Sequence, residues 1–599
     1  MARGTATLKR NSPARIYSGR SWLVAGGVGV AIFFGWKYAE VNLQLLFNRA
    51  TFAAVAHFVA GSLPPDLSPG FLHIVANAVL LTVATAIAST ALSVFFAVPL
   101  GMLACSSLWR TGLIATSRGD GLLFRSVSLL SISVRSMLGF LRAVPDLMWA
   151  LLFVAALGLG PLAGTLALAL SYTGVLGRVY ADVFDAVEPK PLEALLSTGA
   201  GRVQIFIAAI WPQALPNLTA YTLYSFECCV RAAAVLGFVG AGGLGYEISL
   251  SMRLFDYRQV STLLVAFVVI LTLTDAASRK LRSVLGGEYR GGEAGGGAPK
   301  VIRGTLDEAR LVDAEGLPHA MRRNTGGFRR RKIYATGLAV LAVAVSFYFS
   351  GFLGIVAEGA LEIPGDLIHF AAGLVPPDLS LDFLRSLWLP LIQTLAIALL
   401  GTLLGVVVGA PLSLAATSRL IFVPREGPER PGFVSLGVRY AVYWGSRIVL
   451  SILRSIPELV WALICIVAIG IGPLAGTIAL GLHTTGVLGK LYADTMEEVG
   501  MKPVEALRAL GARPLQLLVW AIWPQTKQLL GSYTVLRWDM NLRAATILGL
   551  VGGGGLGQVM YNDVQLGFYP RVATLILLIY GLVMATDWAG TKIWTAVPE

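Results

Sequence analysis

Residues 142–165 read RAVPDLMWALLFVAALGLGPLAGT, and residues 454–477 read RSIPELVWALICIVAIGIGPLAGT. At an offset of 312 positions the two stretches are identical at 14 of 24 positions, and most of the rest are like-for-like exchanges such as Asp146 for Glu458. The same offset aligns Pro64-Pro65-Asp66-Leu67-Ser68 with Pro376-Pro377-Asp378-Leu379-Ser380. A repeat of this length is a duplicated domain, not a solenoid unit of a few dozen residues. Two copies in one chain predict a pseudo-dimer with one shared interface, so functional residues are expected between the halves.

Composition names the solvent. Apolar residues make up 56% of the chain and charged residues 14%, with mean hydropathy +0.71; a soluble domain carries roughly a quarter charged residues. Apolar runs of about 20 residues recur in both halves, the length needed to cross a hydrocarbon core. They lack the strict alternation of a membrane barrel. The expectation is an all-α polytopic membrane protein of about 12 spans. In the first half these fall at 21–38, 74–104, 128–157, 161–186, 203–237 and 260–277, and in the second at 333–352, 386–416, 440–469, 473–496, 515–549 and 572–589. A break in the fifth span is expected at Pro212 or Pro216, and at Pro524 in the second copy.

Charge placement sets the orientation. Net charge is +13; Arg3, Lys9, Arg10, Arg15 and Arg20 precede the first span, and residues 279–332 hold 13 Lys/Arg against 6 Asp/Glu. By the positive-inside rule both segments are cytoplasmic, and six spans between them return the chain to its starting side. Both termini are then cytoplasmic. Basic charge that flanks apolar spans argues against nucleic-acid binding. The start of the chain resembles a signal peptide, but no small-residue cleavage site follows, so a retained first span is expected. The division is a first membrane domain at 1–280, a basic Gly-rich linker at 281–332, and a second membrane domain at 333–599. The linker composition predicts a tether. Cys105, Cys228, Cys229 and Cys465 show neither metal-ligand spacing nor a paired framework. No metal site is expected.

Between the fourth and fifth spans of each half lies a distinctive loop: Lys190-Pro191-Leu192-Glu193-Ala194-Leu195-Leu196-Ser197-Thr198-Gly199, then Lys502-Pro503-Val504-Glu505-Ala506-Leu507-Arg508-Ala509-Leu510-Gly511. Pro at the start and Gly at the stop predict a short helix. Glu193 and Glu505 sit in its first turn, where a carboxylate suits the helix dipole. Such a helix outside the bilayer suits docking of a soluble partner.

Glu193-Ala194 with Gly199, Glu505-Ala506 with Gly511, and the following Ile210-Trp211-Pro212 and Ile522-Trp523-Pro524 resemble the EAA loop of ABC importer permeases. Leu195 and Leu507 replace the family's second Ala, and Trp211 and Trp523 its Leu before Pro. A narrower resemblance is to the phosphonate-type (PhnE-like) permeases. It rests on Arg-x-x-Pro-Asp/Glu-Leu-x-Trp-Ala at 142–150 and 454–462, Thr-Gly-Val-Leu-Gly at 173–177 and 485–489, and Arg-Ala-Ala-x-x-Leu-Gly-x-Val-Gly at 231–240 and 543–552. The resemblance implies two six-helix, type I (MetI-like) transmembrane domains in a bacterial inner membrane. It implies two copies of a cytoplasmic ABC ATPase docked on the loops, which bind the ATP and Mg, and an extracytoplasmic phosphonate- or oxyanion-binding protein. No cofactor is expected in this chain, and no chemistry on the substrate.

Gly-x₄-Gly-Lys-Ser/Thr is absent from the sequence. Gly240, Gly242, Gly243 and Gly245, with Gly552, Gly554, Gly555 and Gly557, fit Gly-x-Gly-x-x-Gly, but without the strand–turn–helix setting of a dinucleotide site. They are read as a glycine-rich bend at the mouth of a pathway.

Ionisable residues at bilayer depth usually face a cavity or the protein interior. Arg135/Arg447, Arg142/Arg454, Arg231/Arg543 and Asp182/Asp494 recur at the repeat offset. Arg142, Arg231, Arg454 and Arg543 are candidates for an anion pathway, because guanidinium groups offer forked donors to phosphoryl oxygens. The other reading is structural. Asp146 and Glu458 lie four residues after Arg142 and Arg454, and Glu227 and Asp539 four before Arg231 and Arg543; at helical spacing these are neighbours. Lone His483 is either a packing residue or an asymmetric contact. Trp149 and Trp461 are expected between helices. Segments 41–73 and 353–385 are either interfacial helices or plain connectors. The rival classes are an ion-gradient-driven transporter of parallel repeats and a membrane enzyme, for which no recurring nucleophile or metal cluster is found.

Overall fold

The computed structural model describes residues 33–40, 48–106, 121–285, 340–351, 370–422 and 433–596, with a few isolated residues beside them. Among these, every regular element is helical. Most of the expected first span at 21–38 and of the linker lies outside the described residues, while the expected span at 333–352 is described from 340 to 351 and holds the short apolar helix Val340–Phe349.

The first half runs through α1 (Arg49–Gly61), α2 (Pro69–Ala104), α3 (Gly121–Ala143), α4 (Asp146–Leu157), α5 (Pro161–Asp185), the short α6 (Pro189–Ser197), α7 (Trp211–Leu236), α8 (Gly243–Arg253) and α9 (Tyr257–Leu285). In the second half α10 (Leu381–Ser386) and α11 (Trp388–Ala415) together stand at the repeat position of α2, and the order then recurs with α12 (Phe433–Ser455), α13 (Glu458–Ile469), α14 (Pro473–Glu497), α15 (Met501–Ala509), α16 (Trp523–Gly549), α17 (Gly555–Gln565) and α18 (Tyr569–Ala596).

Six described helices are long and apolar enough to cross a membrane, or eight if each of two bent pairs is one span. The expected third spans are broken: α3 meets α4 at 86°, and α12 meets α13 at 94°. Pro145 and Pro457 stand at the two bends, where a residue without an N–H, and with a restricted predecessor, cannot continue the helix. The expected break in the fifth span takes another form. Pro212 and Pro524 sit at the start of α7 and α16, each preceded by one π-helical turn, Phe206–Ile210 and Leu518–Ile522. The wide turn absorbs the missing donor, and α7 continues unbroken through Pro216.

Within each half, helix contacts rely on small residues, as expected where lipid gives no hydrophobic drive to associate. Ser89 and Ser93 of α2 donate to the Thr165 and Ala169 carbonyls of α5 at 3.1 and 3.0 Å. A Cβ on Gly405 of α11 would lie 2.3 Å from Thr484 of α14. Between halves the core is continuous: Leu147, Leu244 and Phe267 share one buried cluster with Leu459, Leu556 and Leu575. Across that seam α4 touches α17, α1 touches α13, and Phe140 meets the Tyr580 ring at 5.1 Å.

One end of the bundle is held by the Pro-Pro-Asp-Leu-Ser segments. The Asp66 N–H donates to the Arg258 carbonyl at 3.2 Å, Arg258 Nε to Pro64 at 2.9 Å, and Thr262 Oγ1 to Asp66 O at 2.8 Å. In the second copy Asp378 N donates to Pro570 O at 3.0 Å and Thr574 Oγ1 to Asp378 O at 2.7 Å. These segments clasp the first turn of α9 and α18. Segment 41–73 does contain a helix, α1; most of 353–369 lies outside the described residues.

Candidate functional site

Three constellations hold the candidate residues. The first is the pair of short helices, α6 and α15, at the end opposite the clasps. Each is anchored by one apolar side chain: Leu192 packs with Phe184, Phe206 and Ile210, and Val504 with Tyr492 and Ile522. Glu193 and Ala194, like Glu505 and Ala506, are exposed on the other face. Gly199 and Gly511 end the helices at φ +80° and +78°, a conformation that costs glycine little. The next turn is fixed identically in both halves, by Gly201 N donating to Gln204 Oε1 and Arg513 N to Gln516 Oε1, each at 2.8 Å. The helices preceding these loops are braced from within the bundle. Arg135 reaches Asp185 at 2.6 Å and Asp182 at 3.3 Å while donating to the Ala104 carbonyl at 2.8 Å. Arg447 repeats this with Glu497 at 2.7 Å, Asp494 at 3.7 Å and Ala416 O at 3.1 Å. This recurring pair of arginines is thus part of the frame.

The second constellation is the glycine run. Gly240, Gly242 and Gly243 adopt φ +99°, +78° and +74°, and Gly552, Gly554 and Gly555 adopt +99°, +79° and +74°. Their backbone is committed to packing: Gly160 N donates to Gly240 O and Gly472 N to Gly552 O at 3.0 Å, while Leu244 N and Leu556 N donate to Thr82 and Thr394 at 2.9 Å. A Cβ on Gly245 or Gly557 would fall 1.9 or 1.8 Å from a carbonyl oxygen of α7 or α16. The run folds the chain back tightly after α7 and α16, at the clasped end.

The third lies on the seam, midway along the long helices. The spacing between Arg142 and Asp146, or Arg454 and Glu458, does not make them partners. The bend places each pair on two helices, and no ion pair joins them among the described residues. Glu458 instead lies 3.6 Å from His483 Nε2, while His483 Nδ1 is 3.0 Å from the Ile456 carbonyl. Asp146 Oδ1 accepts from Leu147 N at 2.9 Å. Trp149 and Trp461 tie across the bends, donating to Leu141 and Leu453 carbonyls at 3.3 Å.

The two copies of the last arginine differ. Arg543 pairs with Asp539 at 2.9 Å. Arg231 forms no ion pair with Glu227 among the described residues, and its side chain is exposed where that of Arg543 is half-buried. Arg537 was not among the expected site residues. The repeat offset sets it against Ser225, and sets Asn541 against Cys229 and His483 against Ser171. Buried Asn541 donates to Thr402 at 2.8 Å and Thr484 at 3.0 Å. His483 was named from the sequence as a departure from the repeat; Arg537 and Asn541 carried the same signal, which a search for matching residues passes over.

Outside the spans, the Ser68 backbone N–H holds the Asp66 carboxyl below its ordinary value, and the Ser380 hydroxyl, then its N–H, does so for Asp378. No group of His, Cys, Asp and Glu that could hold a metal occurs among the described residues.

Similarity to known proteins follows the same two-copy plan. The family model for the inner membrane component of binding-protein-dependent transport systems matches residues 110–282 and again 434–593. The chain is 30% identical over 454 residues to the phosphate-import permease protein PhnE of Mycolicibacterium smegmatis, covering 76% of this chain and 75% of that one. It is 36% identical over 217 residues to the phosphite transport system permease protein PtxC of Stutzerimonas stutzeri, covering 36% and 72%. It is 39% identical over 117 residues to the putative cryptic phosphonate transport system permease protein PhnE2 of Escherichia coli, covering 20% and 96%. With exposed Glu-Ala helices at one end, a shared seam and the family match in each half, the chain belongs to the inner membrane components of binding-protein-dependent transport systems, as a tandem PhnE-like permease.

Proposed function

We propose that this chain is the membrane subunit of an ATP-driven importer for phosphonate or a related small oxyanion, phosphate or phosphite. One polypeptide supplies both pathway halves, 1–280 and 333–599, joined by the linker at 281–332. Both termini and the linker face the cytoplasm. Two copies of a separate ATPase bind ATP and Mg and dock on α6 and α15, through Glu193, Ala194 and Gly199 and through Glu505, Ala506 and Gly511. An extracytoplasmic binding protein delivers the anion at the clasped end, where the glycine runs form the mouth. Nucleotide-driven closure rocks the halves and alternates access to the seam, where Arg142, Arg231, Arg454 and Arg543 are the candidate anion-pathway residues.

The observation that carries this reading is the matched pair of short helices, each pinned by one buried residue and exposing Glu-Ala at the same end of the bundle. A secondary transporter has no use for two identical levers. The test is reconstitution with the companion ATPase and binding protein, followed by uptake of methylphosphonate, phosphate and phosphite. Uptake is expected to require ATP on the α6/α15 side, and the double variant Ala194→Trp, Ala506→Trp to lower it by roughly tenfold or more, the effect of losing about 1.4 kcal/mol of docking energy. Accumulation by the chain alone on a proton or sodium gradient would overturn the reading.

A further inference from the structure

We infer that the two docking loops are chemically unequal: the loop at α15 fits an acidic protein surface and takes its copy of the ATPase more tightly, and with more salt dependence, than the loop at α6. This deepens the importer reading and rests on it. The loops share the Glu-Ala pair and the closing glycine, but they part at three positions. At the repeat offset Gly500 replaces Glu188, Arg508 replaces Leu196, and Leu510 replaces Thr198. Residues 188–202 hold two basic and two acidic side chains and no net charge, whereas residues 500–514 hold three basic and one acidic, a net charge of +2.

The first loop satisfies itself. Lys190 lies 4.0 Å from Glu188, Leu196 packs on the cluster of Phe184 and Phe206, and the Thr198 hydroxyl donates to the Leu195 carbonyl at 2.7 Å. The second loop leaves the same positions open. Gly500 removes the partner of Lys502, which has no ion pair among the described residues. Arg508 is half-buried, its Nε is enclosed without a hydrogen-bond partner, and Glu505 one turn earlier does not pair with it. A donor shielded from water and left without an acceptor is costly, and an acceptor brought by a partner relieves the cost. Beside it Leu510 is 82% exposed. Arginine next to an exposed apolar side chain is the composition of a protein interface. The occupant is the ATPase and not an anionic membrane surface, because exposed Glu505 and Ala506 belong to the same face. A lipid surface of one sign repels that carboxylate, whereas a protein cleft can set an acid against Arg508 and a donor against Glu505. Both ATPase copies carry the same cleft, so the acid that meets Arg508 on one side meets Leu196 on the other and is desolvated there without a partner.

The experiment is stepwise binding of the purified, nucleotide-free companion ATPase to the full chain in nanodiscs. Native mass spectrometry counts zero, one or two copies at low and at high salt, in zwitterionic lipid and in lipid containing an anionic fraction. The expected result is two unequal steps in both lipids. Ala506→Trp is expected to remove the tighter step and Ala194→Trp the weaker one. Arg508→Leu, the residue that the first loop already carries at this register, is expected to weaken the tighter step about tenfold and to abolish its excess salt dependence. Arg508→Lys is expected to keep that salt dependence, which a merely structural role for the arginine would not require. Two equal steps, or an unchanged tighter step in Arg508→Leu, would overturn the inequality. So would a difference between the loops seen only with anionic lipid, which would assign the charge to the membrane surface. If the ATPase binds both loops equally and drives uptake, the importer reading stands without the inequality; if it binds neither loop, the importer reading itself has failed.

Discussion

Arg231 and Arg543 show what a single residue's neighbours decide. They share a register position and each has a carboxylate four residues earlier, yet only Arg543 pairs with it. Spacing along a sequence gives the opportunity for a contact; the surroundings of each side chain decide whether it is taken. For Arg142 and Arg454 the spacing misleads for another reason, since it assumes one helix where Pro145 and Pro457 make two. The glycines were easier to find than to interpret. Gly557 looks like part of a ligand loop, but its missing side chain is needed because Thr546 O would lie 1.8 Å from a Cβ. Gly557→Ala is expected to lose about 3 kcal/mol or more of stability through overpacking against backbone, read as a large fall in the unfolding midpoint in detergent. Gly581→Ala, with nothing within 4 Å, is expected to change stability by less than about 1 kcal/mol. Similar midpoints for the two would contradict the packing account.

At the scale of elements, length and apolarity located most of the described helices, and Gly199 and Gly511 located the ends of α6 and α15; the helices start two residues before Pro191 and Pro503, so Glu193 and Glu505 fall beyond the first turn in which they were expected. What the pattern did not reveal is how prolines are accommodated. Pro145 and Pro457 turn the chain by 86° and 94°, whereas Pro212 and Pro524 are absorbed by a π turn. Local composition is alike in both cases; the outcome depends on which neighbouring helices demand a straight path. The clasps make a testable point at this scale. The Asp66 and Asp378 carboxyls titrate below their ordinary value because Ser68 and Ser380 donate to them. A depressed carboxyl adds stability above its unfolded-state value of about 3.9, and that contribution disappears as pH falls through the folded-state value. Asp378→Asn is therefore expected to be less stable than the parent at pH 7, with the difference steady down to about pH 5 and closing below about pH 4. Unfolding midpoints measured across that range check it; a difference that grows on acidification would refute the clasp's role.

For the whole molecule, the duplication was the most legible feature, and it predicted a functional seam. It could not show that the seam is unequal, because a repeat is found by what matches. His483, Asn541 and Arg537 all lie in the second half opposite smaller residues, Ser171, Cys229 and Ser225. The two halves nevertheless share one buried core. Unfolding in detergent is accordingly expected to follow one transition. A double-mutant cycle on Phe140 and Tyr580, whose rings meet at 5.1 Å, is expected to give a coupling of about 0.5–1.5 kcal/mol. Two resolved transitions with no coupling would mean that the halves are merely tethered. Their linkage in one polypeptide also bears on supply. A cell making this chain never has to sort one kind of half from the other, or balance two expression levels. Every copy leaves the ribosome as a matched, unlike pair in fixed one-to-one ratio, so specialisation of either partner is inherited by the assembly without risk of mispairing.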